Sequence, residues 1–204
     1  MDLFRNDPTA NLLPCDGTVN YFDPILSHAN TQQYYQTLLH EIPWKNDEAV
    51  IFGKRLITAR KVAWYGDSNF SYTYSGTTKQ ALQWTPELAT LKALIENLTL
   101  STFNSCLLNL YHDGNEGMAW HSDDEKSLGK DTTIASLSLG AAREFRLKHK
   151  RTPDKISVLL ESASLLVMKD STQSHWLHSI PKSKKITTPR INLTFRTMLA
   201  QKPT

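Results

Sequence analysis

Residues 121 to 123 contain the first pattern that could do chemistry. His121 and Asp123 are separated by one residue, so on a β-strand both side chains would leave the same face of the sheet. An imidazole and a carboxylate in that arrangement can bind one metal ion. A second histidine would complete a set of two histidines and one carboxylate, which leaves positions on Fe(II) open for a cosubstrate and O2.

We predict His178 as the second histidine. His175 competes for this role because it lies only three residues earlier and has the opposite strand parity. Spacing alone leaves both histidines open. A His-x-Asp pair is also a weak motif by itself, since most such pairs are surface or hydrogen-bonded residues, so the prediction depends on other parts of the sequence.

The segment from residue 190 to residue 196 alternates apolar and polar side chains with the period of a strand. One face would carry Ile191, Leu193 and Phe195, and the other face Arg190, Asn192, Thr194 and Arg196. Two arginines that point into a barrel need an anion there, and a guanidinium matches a carboxylate in a way that lysine does not. A dicarboxylate site would explain the pattern, but two arginines on a solvated face explain this segment at least as well when it is taken alone.

Upstream of the metal motif, Asn109 and Tyr111 share one face of a predicted strand that ends at the turn Asp113-Gly114. They would offer an amide and a phenol as hydrogen-bond donors. Either residue alone would be interpreted as structural.

Two helices and eight short strands must position these residues. The spacing of apolar residues predicts a helix over residues 31–42, ended by Pro43, and a second helix that starts near Thr85-Pro86-Glu87 and runs through Leu98. The predicted strands are residues 105–111, 118–122, 132–139, 144–149, 157–160, 165–169, 176–180 and 190–199. Such a series of short strands suggests a sandwich or barrel, and a jelly roll fits.

We interpret the 204 residues as one domain, with a helical and hairpin extension over residues 1–100 and a β-rich core over residues 101–199. The composition, with 40% hydrophobic residues, excludes the disordered and fibrous classes. The sequence lacks an apolar run of the ~18 residues that a membrane span needs, and it lacks a signal-peptide pattern. We therefore expect a cytoplasmic protein with no membrane partner, and leave a nuclear location open.

Basic residues are concentrated in one part of the chain. From residue 143 to residue 190 there are eleven Lys and Arg against four Asp and Glu, in a chain with a net charge of +3. A local basic surface suits a polyanion such as nucleic acid, although an ordinary solvated face explains the charge equally well. Cys15 and Cys106 fit neither a disulfide framework nor a zinc pattern.

Taken together, these motifs resemble the AlkB family of Fe(II)- and 2-oxoglutarate-dependent nucleic-acid dealkylases. The segments that carry the resemblance are Tyr65-Gly66-Asp67, Tyr72-Thr73-Tyr74-Ser75-Gly76, Asn109-Leu110-Tyr111, His121-Ser122-Asp123, His178 and Arg190 to Arg196. It covers most of the chain and is strongest with the subgroup that repairs duplex DNA. The fold that it implies is mainly β (α+β), a double-stranded β-helix (jelly roll) with N-terminal helices and a nucleotide-recognition lid of hairpins.

The resemblance also assigns roles to the candidate residues. The implied iron ligands, which form the catalytic centre, are His121, Asp123 and His178. The implied cosubstrate residues are Arg190 and Tyr111 at the distal carboxylate of 2-oxoglutarate, and Arg196 and Asn109 at its metal-binding end; Asn192 is also expected to bind the cosubstrate. In this family 2-oxoglutarate and O2 yield succinate and CO2 while a carbon attached to a base nitrogen is hydroxylated, and the hemiaminal collapses to an aldehyde and the repaired base.

A base inside a duplex must be flipped out to reach a buried iron. The resemblance implies that Tyr72 and Tyr74 belong to a substrate lid and that Phe52 is the wedge of a hydrophobic finger. Spacing alone would also fit Phe52 as a core residue on a strand. Arg60 and Lys61, near the finger, are expected to contact phosphate.

Two charged segments complete the implied DNA interface. Asp124 and Glu125 match an acidic pair near the lesion pocket, where a carboxylate could favour a cationic alkylated base; a charged turn between strands explains Glu125 equally well and Asp124 less well. Lys184 and Lys185 match a basic loop that can grip the opposite strand, although Ser183 stands where we expect another basic residue.

We expect a monomer that repairs DNA bases such as 1-methyladenine and 3-methylcytosine by direct reversal. Demethylation of RNA, or hydroxylation of a protein side chain, would use the same metal and cosubstrate residues and stays open as an alternative. A damage-binding protein without turnover is a third hypothesis, but such a protein would have no need to retain both arginines and all three iron ligands.

Overall fold

The structure is a computed structural model that describes residues 6–51, 54–67, 71–74 and 77–199, with the side chains of residues 48–51, 54–56, 71–74 and 77–79 left out. The strands are β1 (Thr18–Phe22), β2 (Lys45–Ile51), β3 (Lys54–Gly66), β4 (Ser71–Tyr74), β5 (Thr77–Gln80), β6 (Ser105–Tyr111), β7 (Met118–His121), β8 (Ile134–Gly140), β9 (Arg143–His149), β10 (Lys155–Leu160), β11 (Leu165–Lys169), β12 (Trp176–Ile180) and β13 (Arg190–Arg196). The helices are α1 (His28–Glu41), α2 (Pro86–Thr99) and α3 (Thr172–His175), with a 3-10 turn at Lys126–Leu128. In the described part of the chain, no helix is long and apolar enough to span a membrane.

Two antiparallel sheets form the body of the protein. The major sheet has the strand order β1-β11-β8-β13-β6-β3-β2, and the minor sheet has the order β10-β9-β12-β7. Strands β4 and β5 form a separate hairpin. The prediction of a mainly β fold with N-terminal helices is therefore confirmed.

The two long helices begin at side chains that cap them. Ser27 accepts a hydrogen bond from the backbone N–H of Asn30 at the start of α1, which moves the helix start three residues before the predicted Thr31. Thr85 accepts from the N–H of Leu88, and Pro86 occupies the first turn of α2, as the sequence predicts. Both helices pack on one face of the major sheet, where they form the larger apolar core with β3, β6, β8, β11 and β13.

A second apolar core lies between the two sheets and includes Phe145, Leu147, Leu166, Met168 and Trp176. This core fills only part of the space between the sheets. The remainder is a cavity of about 430 Å³, a size typical of small-molecule sites.

Strand β13 separates the apolar core from the cavity. Its apolar residues Ile191, Leu193 and Phe195 belong to the core beneath the helices. Its polar residues Arg190, Asn192, Thr194 and Arg196 line the cavity on the opposite face. The alternation predicted from the sequence therefore points four polar side chains towards the minor sheet.

Candidate metal and cosubstrate site

The three predicted metal ligands meet between the two sheets. His178 on β12 lies opposite His121 on β7 in the strand pairing, and their ring centroids are 4.2 Å apart. Asp123 follows the end of β7 and is buried. One ligand atom from each of the three side chains lies within 4.8 Å of the others, so they can hold a single metal ion.

The hydrogen bonds of His121 leave one ring nitrogen free for a metal. Its Nδ1 lies 2.8 Å from the backbone carbonyl oxygen of Ala119, and because a carbonyl can only accept, Nδ1 carries the proton. Nε2 therefore has a lone pair, and it lies 3.6 Å from Oδ1 of Asp123. A ring whose other nitrogen donates to a carbonyl is the usual arrangement of a metal-bound histidine.

Burial and charge set the protonation states of the other two ligands. Burial lowers the pKa of His178 from 6.5 to about 3, against the opposing effect of Asp123. Burial raises the pKa of Asp123, but Arg196 and the two histidines outweigh that effect and keep the pKa below its ordinary value. Near neutral pH the site thus presents a neutral imidazole and an ionised carboxylate, which are the forms that bind metals.

Asp123 is held from two sides. Arg196 places its Nη2 2.8 Å from Oδ2 of the carboxylate. Gln173, on the short helix α3, accepts a hydrogen bond from the backbone N–H of Asp123 at 2.9 Å. The Nε2 of Gln173 lies 3.3 Å from the sulfur of Met168, so the helix, the major sheet and the metal ligand form one connected unit.

The structure separates the two competing histidines. His178 is on β12 and faces the metal site, whereas His175 ends α3 and stacks on His149 with ring centroids 6.0 Å apart. The strand-parity argument therefore did not apply to His175, because that residue is helical. Among the described residues, the triad is completed by His178.

Arg190 is a candidate anion site in the cavity. Its Nη2 donates to the hydroxyl of Ser138 at 3.0 Å, whereas its Nε and Nη1 are buried and have no hydrogen-bond partner in the described structure. An unpaired buried donor costs about 1–3 kcal/mol. Burial lowers the pKa of Arg190 to about 10, which still leaves a full positive charge near neutral pH. Two free donors on a buried cation fit a carboxylate ligand.

Tyr111 lies beside this anion site. It is directly opposite Arg190 in the pairing of β6 with β13, and the guanidinium carbon of Arg190 is 5.5 Å from the centroid of its ring. Both residues line the cavity. The structure thus brings together the two residues to which the resemblance assigns the distal carboxylate.

The two asparagines predicted at the cosubstrate line the cavity but already have protein partners. Asn192 donates to Ser136 Oγ at 2.8 Å. The side-chain oxygen of Asn109 accepts a hydrogen bond from Nη1 of Arg60, whose Nη2 also bonds Asp47. Arg60 was expected to contact phosphate, but it is buried and lines the cavity, so its described partners lie inside the protein.

The acidic pair divides between the cavity and the surface. Glu125 lines the cavity, and its Oε2 is buried without a partner in the described structure. Burial raises the pKa of Glu125, although Arg196 acts in the opposite direction. Asp124 is exposed and lies 3.8 Å from Lys150 Nζ. Of the two acids, Glu125 is therefore the one that faces the cavity.

The predicted DNA contacts are only partly described. Lys184 and Lys185 are exposed on the loop between β12 and β13, which we call the basic loop (residues 181–189). Tyr72 and Tyr74 are on β4 of the β4–β5 hairpin, but their side chains are among those left out. Phe52 lies outside the described residues.

A second group of metal-binding residue types lies near the N-terminus of the described chain. Ligand atoms of Cys15, Asp16 and His149 also lie within 4.8 Å of one another. However, Nδ1 of His149 accepts hydrogen bonds from the backbone N–H groups of Arg151 and Thr152. A neutral imidazole has one lone pair, so the proton of His149 is on Nε2, which lies 3.2 Å from Asp16 Oδ2 but makes no hydrogen bond in the described structure.

Comparison with known proteins places these geometric findings in a family. A family model described as the 2OG-Fe(II) oxygenase superfamily matches residues 18–196. The chain is 40% identical over 173 residues to Alpha-ketoglutarate-dependent dioxygenase alkB homolog 3 of Mus musculus, which covers 80% of this chain and 60% of that protein. It is 36% identical over 201 residues to DNA oxidative demethylase ALKBH2 of the same species, with 93% and 82% covered.

More distant relatives extend the comparison. DNA oxidative demethylase ALKBH2 of Arabidopsis thaliana is 33% identical over 206 residues, which cover 88% of this chain and 66% of that protein. The solved structure of OsALKBH1 superposes with a TM-score of 0.61 at 15% identity, covering 88% of this chain and 96% of that chain. This likeness concerns the fold alone, and it confirms the jelly roll.

Proposed function

This chain belongs to the 2OG-Fe(II) oxygenase superfamily, and from that membership we propose that it is a dioxygenase that repairs alkylated DNA bases by oxidising the alkyl group. One observation carries the proposal: a single cavity contains a His-Asp-His cluster and a buried arginine with two unpaired donors. The first feature fits Fe(II) and the second fits a dicarboxylate. Relatives named as DNA oxidative demethylases support DNA as the substrate class.

The residues of the cavity would bind the iron and the cosubstrate. His121, Asp123 and His178 would hold the iron, and bound Fe(II) with 2-oxoglutarate and O2 would supply the oxidation of the alkyl carbon. Arg190 would take the distal carboxylate of 2-oxoglutarate on its two free donors. Arg196 keeps Asp123 ionised and oriented through their 2.8 Å contact.

The cavity also offers a place for an alkylated base. Apolar side chains of Trp64, Leu107 and Met118 line it together with the carboxyl group of Glu125. Alkylation at N1 of adenine or N3 of cytosine makes the base cationic, and a buried carboxylate would favour such a base over the neutral normal base. We propose that Glu125 provides this selection.

The basic loop and the hairpins would bind the DNA around the flipped base. Exposed Lys182, Lys184 and Lys185 can contact phosphates. We retain Tyr72, Tyr74 and Phe52 as proposed lid and wedge residues on the strength of the sequence resemblance. We also propose that the chain acts as one monomeric unit in the cytoplasm, and light scattering of the purified protein would test its monomeric state.

The decisive test is a repair assay. Protein loaded anaerobically with Fe(II) and 2-oxoglutarate is exposed to air with a DNA oligonucleotide that contains 1-methyladenine. We expect an oligonucleotide lighter by one CH2 unit in the mass spectrum, together with succinate. The Arg190→Met variant should raise KM for 2-oxoglutarate on the order of 100-fold, because a charged, buried contact is lost.

Other outcomes would reassign the substrate or the class. Succinate without loss of mass, on both single- and double-stranded DNA, would keep the oxygenase and move the substrate to RNA or to a protein side chain. DNA binding with neither succinate nor loss of mass would leave a damage-binding protein. A wild-type KM in the Arg190→Met variant would remove Arg190 from the cosubstrate site.

A further inference from the structure

Arg143 is a buried cation that the proposed chemistry does not use. It is the first residue of β9, it is 1% exposed, and it is not among the side chains that line the cavity. Its guanidinium donates to the carbonyl oxygens of Asp113 at 3.3 Å, Glu116 at 2.7 Å and Pro181 at 2.9 Å. A cation is costly to bury, so its placement among three backbone carbonyls needs a reason.

The three carbonyls belong to two different loops. Asp113 and Glu116 are in the turn between β6 and β7, which connects Tyr111 to the strand that carries His121. Pro181 begins the basic loop. Arg143 therefore joins the loop that follows a cosubstrate residue to the loop that carries the proposed DNA contacts.

Backbone hydrogen bonds also join these two loops directly. Gly114 N–H donates to the carbonyl of Ile186 at 2.8 Å, and Ser183 N–H donates to the carbonyl of Gly114 at 2.7 Å. A Cβ at Gly114 would lie 1.8 Å from the carbonyl oxygen of Ser183, which no real contact tolerates. The absence of a side chain at Gly114 therefore lets the basic loop approach closely, and Arg143 binds the same loop through the carbonyl of Pro181.

Arg143 also contacts Tyr111 itself. Its guanidinium carbon is 5.6 Å from the centroid of the tyrosine ring, a distance within the range of cation–π attraction. Since Arg190 lies 5.5 Å from the same centroid, the ring is in contact with two guanidinium groups. One of them has free donors in the cavity, and the other is committed to the loops.

We propose that Arg143 is a positioning residue that holds Tyr111 and the basic loop in register, and thereby links 2-oxoglutarate binding to DNA binding. The inference rests on the proposed function, which supplies the two ligands. Arg143 acts through Tyr111 and the loops, without touching either ligand. Lysine is a poor replacement because one ammonium group cannot reproduce the planar fork that reaches three carbonyls in two loops.

The test compares Arg143→Met with Arg146→Met. Both residues are on β9 and both changes remove one positive charge, but Arg146 is exposed and pairs with Glu144. The readouts are KM and kcat for 2-oxoglutarate from succinate formation, the rise in melting temperature caused by 2-oxoglutarate, and the affinity for a 1-methyladenine oligonucleotide from fluorescence anisotropy. A general loss of charge would affect the oligonucleotide affinity of both variants equally.

We expect Arg143→Met to raise KM for 2-oxoglutarate about 10-fold with a smaller change in kcat, as supporting partners of a site do. Arg143→Met should also reduce the rise in melting temperature that 2-oxoglutarate causes. Its affinity for the oligonucleotide should be several-fold weaker than that of Arg146→Met. Arg143→Lys should fall between the wild type and Arg143→Met, and it carries the test if the methionine variant does not fold.

A lower melting temperature with wild-type KM and oligonucleotide affinity in either folded variant would show a purely structural role and overturn the inference. The wild-type repair assay separates this result from the proposed function. If the wild type fails to repair the oligonucleotide while the variants still raise KM for 2-oxoglutarate, the repair function fails and the positioning role of Arg143 towards Tyr111 stands.

Discussion

His121, Asp123 and His178 form one cluster of side chains that could hold a metal, and Cys15, Asp16 and His149 form another; within each cluster the ligand atoms lie within 4.8 Å of one another. The two clusters differ in where the histidine protons are. His121 donates its Nδ1 proton to a carbonyl and leaves Nε2 free, whereas His149 accepts two backbone N–H groups on Nδ1 and keeps its proton on Nε2.

The difference shows that proximity does not suffice for a metal site. In the first cluster, the hydrogen bonds of the backbone prepare a lone pair for the metal. In the second, a metal at Nε2 of His149 would have to displace the proton there, because Nδ1 already accepts two backbone hydrogen bonds. We therefore expect metal binding at the first cluster and not at the second.

The largest predicted effect comes from a matched pair of aspartate substitutions. Asp123→Asn should abolish stoichiometric Fe(II) binding and lower turnover on the order of 1000-fold, since loss of a supporting partner already costs about 10–100-fold. Asp16→Asn should leave both unchanged, and asparagine suits the left-handed backbone of residue 16, where φ is 52°. Metal content after gel filtration and succinate formation are the measurements. Equal losses in the two variants would erase the distinction between the clusters.

A smaller effect concerns pH and the metal-free protein. Burial lowers the pKa of His178 in the folded state to about 3 from an ordinary value of 6.5. Between pH 6.5 and pH 3, His178 is therefore protonated in the unfolded chain but stays neutral in the folded chain. The free energy of unfolding should therefore fall as the pH is lowered through this window, by at most about 1.4 kcal/mol per pH unit. Urea unfolding between pH 4.5 and 7 measures it.

His178→Gln is the control for this pH dependence. Other groups in the cavity also titrate, because the pKa of Glu125 is raised and that of Asp123 is lowered. The difference between wild type and His178→Gln isolates the histidine. A stability difference between the two proteins that does not change with pH would contradict the buried, neutral state of His178.

Much of the first cluster and the cavity could be predicted because strands alternate. Once β13 is a strand with an apolar face beneath helices, Arg190 and Asn192 must face the other way. The same period places Asn109 and Tyr111 on one side of β6. In a strand, the spacing of two residues in the sequence decides whether their side chains lie on the same face. These predictions therefore did not require knowing which strands pair with β6 and β13.

The contacts and orientations that sequence reasoning missed lie where this rule ends. Asp124 and Glu125 follow β7, so alternation did not show that Glu125 turns inward while Asp124 turns out. Gln173 lies on a four-residue helix, and it bonds Asp123 across 50 residues of sequence. Arg60 reaches Asn109 through the pairing of β3 with β6. No periodic signal marks such contacts, because they depend on which strands become neighbours.

The smallest predicted effect tests the second cluster through its cysteine. Desolvation, with Asp16 and Asp154 nearby, raises the pKa of the Cys15 thiol above its ordinary value, and a thiol must lose its proton to bind a metal well. The backbone carbonyl of Cys15, and not its sulfur, accepts the hydrogen bond from Trp176 Nε1. Cys15 is exposed, so Cys15→Ala should leave the free energy of unfolding nearly unchanged. In a Zn(II) titration, the wild type and Cys15→Ala should bind the same number of Zn(II) equivalents. If the wild type bound one more equivalent than both Cys15→Ala and Asp16→Asn, the second cluster would bind metal despite the proton on His149.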